Sequence, residues 1–186
     1  MIHRREAVKK LLEKRGDLLV VAGLGSTAWD CTAAGDSPLT FPLWGAMGQA
    51  AMMGLGLALA QPRRRVLVIT GDGEMLMGLG SLATIGVQKP TNLSVVVIDN
   101  ERYGETGMQE THTAHGVDLC GVARACGLNI FTFEGRRAAI HERPGPNFAV
   151  VKVAAEKIPL VLPPREGALL KARFRRALLG PDADLA

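Results

Sequence analysis

The sequence predicts an α/β protein, a three-layer sandwich with a mostly parallel central sheet. Three observations carry that prediction. Short aliphatic runs recur along the chain: DLLVVA at 17–22, RVLVIT at 65–70, LSVVVI at 93–98 and FAVVKV at 148–153. They are apolar almost throughout rather than alternating, the pattern of strands covered on both faces. Stretches with helical spacing stand between the runs, so the helices serve as crossovers between strands that run the same way.

Taken in order, residues 4–15 set Leu and Val among charges at helical spacing, and Gly16 stops them as a C-terminal glycine does. The strand at 17–22 runs into the glycine-rich turn GLGST at 23–27. Gly, Asp, Ser and Pro make 35–42 a loop. Residues 46–60 form a helix with small residues on one face, able to approach another backbone closely. After the strand at 65–70, residues 76–87 form a helix packed by Gly and Ala. The strand at 93–98 follows, with β-branched residues at four of its six positions. Residues 101–116 are polar and aperiodic, a loop long enough to be functional. A helix at 117–127, a short strand at 130–133 and the strand at 148–153 come next. Pro159, Pro163 and Pro164 mark an extended segment before a basic helix at 166–179. One domain is expected over 1–186, with 156–186 as a C-terminal extension.

The composition, 47% apolar and 22% charged, is that of a soluble globular protein. The net charge of +4 comes partly from Arg63–Arg65 and the run Arg173 to Arg176. Apart from Phe174, no aromatic interleaves these basic runs, which argues against nucleic acid as a partner. Cys31, Cys120 and Cys126 are odd in number and lack zinc-site spacing, so buried thiols in a reducing cytoplasm are expected. The N-terminal stretch is charged and amphipathic, unlike a signal peptide. The most apolar window, 45–60, holds four glycines and a Gln, which favours a core helix over a membrane span. A cytoplasmic protein follows as the expectation.

In parallel sheets, ligands bind beyond the carboxyl ends of the strands, where loops converge. Three loops qualify: GLGST at 23–27, GDGE at 71–74 and DNERYGETG at 99–107. Gly71-Asp72-Gly73 opens a helix directly after a strand, so its backbone can approach a ligand and its N–H groups can meet an anion. Asp72 beside an anion requires a cation between them. Asn100, 28 residues on, adds a neutral oxygen from the next strand's end. With backbone carbonyls and phosphate oxygens, these make an octahedral shell for a hard cation such as Mg²⁺. Taken singly, an N-cap Asp and a turn Asn are the plain alternative. Their placement at successive strand ends favours a metal–diphosphate site.

The stretch GDGEMLMGLGSLATIGVQKPTNLSVVVIDN resembles the thiamine diphosphate signature, GDG followed at a distance by Asn. The flanks GAMGQAAMMGLGLALA and NERYGETGMQETHT make it similar to thiamine diphosphate-dependent 2-oxo acid decarboxylases. Within that family it looks most like sulfopyruvate decarboxylase β subunits and the C-terminal part of phosphonopyruvate decarboxylases. The resemblance implies that Asp72 and Asn100 bind Mg²⁺, with the backbone carbonyl of Arg102 as third protein ligand. It implies that Gly71, Gly73 and Glu74 meet the diphosphate by backbone, with Gly25 and Ser26 touching it from the first loop. Tyr103, Gly104 and Glu105 would close over it. Met47 would stand as an apolar wedge under the cofactor, whose 4′-amino group would bond to the carbonyl of Gly45. An ordinary core methionine is the alternative for Met47.

The resemblance also implies an absence. The family's glutamate at N1′ of the aminopyrimidine belongs to a pyrimidine-binding domain, which one domain of this kind cannot also hold. A separate pyrimidine-binding α subunit is therefore expected, in an α₂β₂-like or larger assembly that converts a small 2-oxo acid to an aldehyde and CO₂. Rival readings are a carboligating, acetolactate synthase-like subunit, a noncatalytic cofactor-binding or regulatory subunit, and a flavodoxin-like nucleotide binder. His112 and His115 stand as HTAH, where a metal reading lacks a third ligand and two exposed loop histidines are the plain alternative. The resemblance sets Thr111 and His112 over the substrate end, where His112 would hold an anionic group or relay a proton as a catalytic residue. Two features depart from the family pattern. Glu74 follows GDG where a small residue is usual, and its side chain is expected to point outward. The stretch between Phe133 and Pro144 is short and basic, where relatives often have a longer helix.

Overall fold

A computed structural model describes residues 2–132 and 144–184, so the basic stretch at 134–143 lies outside the described residues. Among the described residues, eight strands occur in chain order: β1 (Leu19–Ala22), β2 (Thr40–Pro42), β3 (Val66–Gly71), β4 (Leu93–Asp99), β5 (Arg102–Tyr103), β6 (Gln109–Glu110), β7 (Asn129–Thr132) and β8 (Asn147–Lys152). Six of them form one sheet in the order β2-β1-β3-β4-β8-β7, and every pairing in it is parallel. The α-helices among the described residues are α1 (Arg4–Leu12), α2 (Ser26–Ala33), α3 (Ala50–Ala60), α4 (Asp72–Met77), α5 (Ser81–Gln88), α6 (Leu119–Ala125) and α7 (Gly167–Leu179).

Alternate residues of each strand feed two separate cores. Leu19, Val21, Val68 and Val95 pack with α3, α5, α6 and Phe174 of α7. Val20, Leu67, Ile69 and Val96 pack with α1 and α2 on the other face. All of β1 and β4 is buried, as the continuous apolar runs predict. The expected close approach of the small-residue helix is present. A Cβ on Gly54 would stand 2.2 Å from Val68 Cγ2, so α3 lies directly on β3. The C-terminal helix closes the β2 edge, with Phe174 edge-to-face against Phe41 and Arg173 paired to Asp36.

Several boundaries differ from expectation, each for a local reason. The helix expected at 46–60 begins at Ala50, because Ala46 (φ 57°) and Gly48 (φ 89°) are left-handed and keep Met47 on a loop. The single helix expected at 76–87 is two, α4 and α5, parted at Gly78–Gly80, and the first begins at Asp72. GLGST is only half a turn: Gly25 (φ 75°) caps α2, which starts at Ser26. The loop at 35–42 contains the edge strand β2, and the loop at 101–116 folds as the β5–β6 hairpin and a 3₁₀ turn over His112–His115. Among the described residues, no helix is long and apolar enough to cross a membrane.

The sheet order fixes where a ligand fits. From β1 the chain steps outward to β2, then returns to place β3 on the other side of β1. The crevice at the carboxyl ends of β1 and β3 is the switch point of the sheet.

Candidate functional site

A cavity of about 180 Å³ occupies that crevice. Four strand-end loops wall it, contributing among others Ser26, Met47, Asp72, Asn100 and Tyr103. The register explains how residues 28 apart in sequence meet. Gly71 of β3 pairs with Ile98 of β4, so Asp72 and Asn100 leave adjacent strands at nearly the same height. Two helices, α2 and α4, point their N-termini toward the same space, which favours an anion there.

Asp72 is 2% exposed. Its Oδ2 accepts from Thr111 Oγ1 at 2.5 Å and, more weakly, from Thr113 Oγ1 at 3.4 Å. Thr113 also donates to Asp99 Oδ1 at 2.9 Å, and Asp99 pairs with Lys152 Nζ at 2.7 Å. Burial pushes the Asp72 carboxyl above the ordinary carboxylate range, partly opposed by the Thr111 hydrogen bond and reinforced by Asp99. Asn100 is held by its own turn, with its Oδ1 accepting from the Arg102 N–H at 3.0 Å. Arg102 lines the same cavity.

Of the other expected residues, Gly71, Gly73, Glu74, Tyr103, Gly104 and Glu105 line the cavity with Ser26. Gly73 is required by its neighbour: a Cβ there would stand 2.5 Å from Tyr103 Cε1, so only glycine lets that ring lie on the turn. Neither Gly25 nor Gly45 lines the cavity itself: Gly25 lies against Glu105, and Gly45 stands two residues before Met47. Met47 is half-buried on its loop and is not an ordinary core methionine. It stands between the cavity and a wider apolar groove of about 580 Å³, which Leu76, Met77, Val117 and His112 also line.

Two expectations need correction. Glu74 does not point outward. It is 4% exposed, and its Oε2 accepts from Thr70 Oγ1 at 2.8 Å and from the Leu24 N–H at 3.1 Å. A short β3–α4 corner aims it back over the sheet, where Gly23 leaves the room: a Cβ there would stand 1.9 Å from Oε2. Thr111 does not face an open substrate side, being fully buried against Asp72. His112 and His115 are both exposed, as the plain alternative has it. His112 lies on the groove, and His115 Nε2 lies 3.2 Å from Glu110 Oε2 at the surface. Among the described residues, no group of three His, Cys, Asp or Glu side chains is placed to hold a metal.

The residues fit a hard cation and a diphosphate by their chemistry. A desolvated carboxylate, a carboxamide oxygen and a neighbouring carbonyl are oxygen donors of the kind Mg²⁺ takes. A cation beside Asp72 would offset the burial that raises its pKa. The backbone N–H groups opening α4 and the Ser26 hydroxyl opening α2 are donors for phosphate oxygens. The sequence reading missed Thr113, Thr27, Leu24 and Asp30 as parts of this region. The Thr-x-Thr spacing at 111–113 carries no regular strand signal, because Thr113 lies in the 3₁₀ turn that Thr111 caps, and that turn brings both hydroxyls to Asp72.

The family described as thiamine pyrophosphate enzyme, C-terminal TPP binding domain, matches residues 25–153. Sulfopyruvate decarboxylase subunit beta of Methanococcus maripaludis is 36% identical over 184 residues, covering 94% of this chain and 97% of that one. Phosphonopyruvate decarboxylase of Streptomyces viridochromogenes is 45% identical over 125 residues, which span 67% of this chain and 31% of that longer one. Among solved structures, an enzyme of Mycobacterium smegmatis assigned as thiamin diphosphate-dependent superposes with a TM-score of 0.71 at 22% identity. That match covers 83% of this chain and 32% of that one, and it bears on the fold alone.

Proposed function

This chain belongs to the thiamine pyrophosphate enzymes as a carrier of their C-terminal TPP-binding domain, and from that premise we propose that it is the cofactor-binding subunit of a 2-oxo acid decarboxylase. In this reading it binds thiamine diphosphate with Mg²⁺, works in the cytoplasm, and acts only with a separate pyrimidine-binding subunit, as an α₂β₂ or larger assembly. Residues 1–186 are then one diphosphate-binding domain, with 156–186 as its extension. The observation that carries the reading is the meeting of Asp72 and Asn100, from successive strand ends, in one cavity facing two helix N-termini. The likeness to sulfopyruvate and phosphonopyruvate decarboxylases supports a substrate with an anionic group beside its 2-oxo acid.

When bound, thiamine diphosphate supplies the electron sink that lets CO₂ leave a 2-oxo acid. The rest is the work of this chain. Asp72, Asn100 and the Arg102 carbonyl hold the cation, and Thr111 and Thr113 fix the rotamer of Asp72. The N–H groups of Gly73 and Glu74, with Gly71, Gly25 and Ser26, hold the diphosphate. Tyr103, Gly104 and Glu105 exclude water from it. Met47 would support the cofactor, and the Gly45 carbonyl would serve as an acceptor for its amino group. His112, exposed on the groove beyond Met47, meets the anionic substrate or a proton in transit.

The partner requirement has its own support. Among the described residues lining that groove there is no carboxylate, and Glu74 and Glu105 line the cavity on the other side of Met47. The groove's exposed apolar side chains, Met77 at 68% and Val117 at 39%, fit a surface that another chain covers. The test is CO₂ release from a panel of 2-oxo acids, with thiamine diphosphate and Mg²⁺ present. The chain alone is expected to give no turnover, and the chain co-expressed with a pyrimidine-binding partner is expected to decarboxylate. Robust decarboxylation by the chain alone would overturn the subunit reading.

A further inference from the structure

The family match ends at residue 153, yet two contacts from beyond it fall on the loop that carries Met47. Trp44 Nε1 donates to the Pro164 carbonyl at 2.7 Å, and the Arg165 guanidinium lies over the same indole, 5.7 Å from the ring centroid. The loop is tied at its two ends. The Leu43 N–H reaches the Ala22 carbonyl at 2.9 Å, and Gly48 lies so close to Gly78 that a Cβ on Gly78 would stand 2.1 Å from the Gly48 carbonyl oxygen. Between those ties Gly45 and Ala46 are exposed, and a Cβ on Gly45 would meet open space. Ala46 stands at positive φ, a conformation that persists in a non-glycine residue only where its surroundings impose it. The Trp44 side chain is the anchor that lies nearest.

The segment that meets Trp44 is stiff. Pro163 is buried and, with Pro164, fixes φ at two successive residues. On one side the Pro159 carbonyl accepts from Arg5 Nη2 at 2.8 Å, which ties the segment to α1. On the other side α7 begins at once. Glu166 caps it through the Ala168 N–H, and Leu170 and Phe174 bury its inner face. We propose that residues 159–165 form a strut and that Trp44 is a positioning residue: through the Trp44–Pro164 hydrogen bond, the C-terminal extension sets where Gly45 and Met47 stand. The strut stands on the geometry, and its service to the ring half of the cofactor rests on the function proposed above. Trp44 belongs to the Met47 loop and not to the strand ends that carry Asp72 and Asn100. Loosening it should therefore weaken the hold on the rings and leave the hold on the diphosphate alone.

Two variants cut the same hydrogen bond from opposite ends. Trp44→Phe removes the donor and keeps an aromatic face for Arg165, whereas Pro164→Gly keeps the carbonyl and frees the backbone that presents it. In ¹⁵N relaxation of the cofactor-free full chain, amides of 45–47 should show order parameters near about 0.85 in wild type and fall toward about 0.6 in either variant, with β4 unchanged. The double variant should add little to the larger single effect, since both changes act through one bond. Unchanged order in either variant would overturn the proposal, and so would fully additive effects or a loosening that extends to β4. If Trp44→Phe does not fold, Pro164→Gly carries the test. Calorimetry in Mg²⁺ supplies the functional arm. Both variants should bind thiamine diphosphate at least about fivefold more weakly than wild type, because the ligand must then order the loop itself, while inorganic pyrophosphate stays within about twofold. Equal losses for the two ligands, or none for thiamine diphosphate, would overturn the strut's service to the ring half. A wild type that binds neither ligand would overturn the function proposed above, and relaxation would still decide the strut.

Discussion

The two ends of the same parallel strands are built on opposite rules. At the amino ends, donors close the backbone. Asn92 Nδ2 reaches the carbonyls of Ala58, Gln61 and Arg64 at 2.8 to 3.1 Å. Arg15 bonds Thr40 Oγ1 and the carbonyls of Leu18 and Leu39. At the carboxyl ends, acceptors gather instead: Asp72 and Glu74 are buried, burial raises both above the ordinary carboxylate range, and Glu74 Oε1 has no partner. The amino edge closes its backbone carbonyls and stabilises the sheet, leaving Arg15 Nε and Arg64 Nε without hydrogen-bond partners. The other carries an unmet demand for a cation and for donors, which costs stability and is the usual mark of a functional site.

That contrast breaks most visibly at Asp72. Asp72→Ala should lower affinity for thiamine diphosphate with Mg²⁺ by more than about a hundredfold, beyond the loss expected for a residue outside the metal's own ligands. Its urea midpoint should stay level or rise. Isothermal calorimetry and denaturation on one preparation read both, and unchanged affinity would erase the distinction between the edges. The mirror-image experiment is Asn92→Ala, which leaves three carbonyls without their donor. It should cost roughly 2–3 kcal/mol of unfolding free energy with no change in cofactor binding. A binding defect there would show that the amino edge also serves the site.

Smaller effects sharpen the comparison. Thr111→Val removes the stronger of the two hydroxyls on Asp72 Oδ2 and should weaken Mg²⁺-dependent binding about tenfold, with Thr113→Val costing less. The pH dependence of the cofactor-free chain follows from the direction of the Asp72 shift. Burial and Asp99 hold the proton on the folded carboxyl more tightly than the unfolded chain does, against the Thr111 hydrogen bond. The associated stability is fully present below about pH 4, the unfolded value, and is lost as pH rises through the higher folded value. Asp72→Asn lacks that proton, so its stability should fall less than wild type over the same range; superimposable curves would remove Asp72 from the account. Smallest of all, His112→Ala in the reconstituted complex should slow decarboxylation a few-fold, roughly the loss of one exposed polar contact, and an unchanged rate would release His112 from any role.

The sequence was most legible where burial dictates it. The strands at 65–70 and 93–98 could be read because parallel strands tolerate little but aliphatic residues, and the GDG and Asn pair could be read because backbone approach and oxygen donors restrict the choice. Elements governed by backbone conformation were less visible. β2 is a three-residue edge strand inside a Gly- and Pro-rich loop, and Ala46 at positive φ ends a helical pattern that composition alone would continue to residue 46. Glu74 misled for a different reason. A carboxylate beside an anion site is expected to turn away, and nothing in GDGE reveals that Gly23, fifty-one residues earlier, leaves it a buried place lined by donors.

The direct test of the carboxyl edge is a calorimetric titration of the purified chain with thiamine diphosphate, once with Mg²⁺ and once with excess EDTA. Saturable binding with Mg²⁺ and its loss in EDTA is the predicted result. Equal binding in EDTA, or none with Mg²⁺, would contradict the assignment of Asp72 and Asn100 to a shared metal.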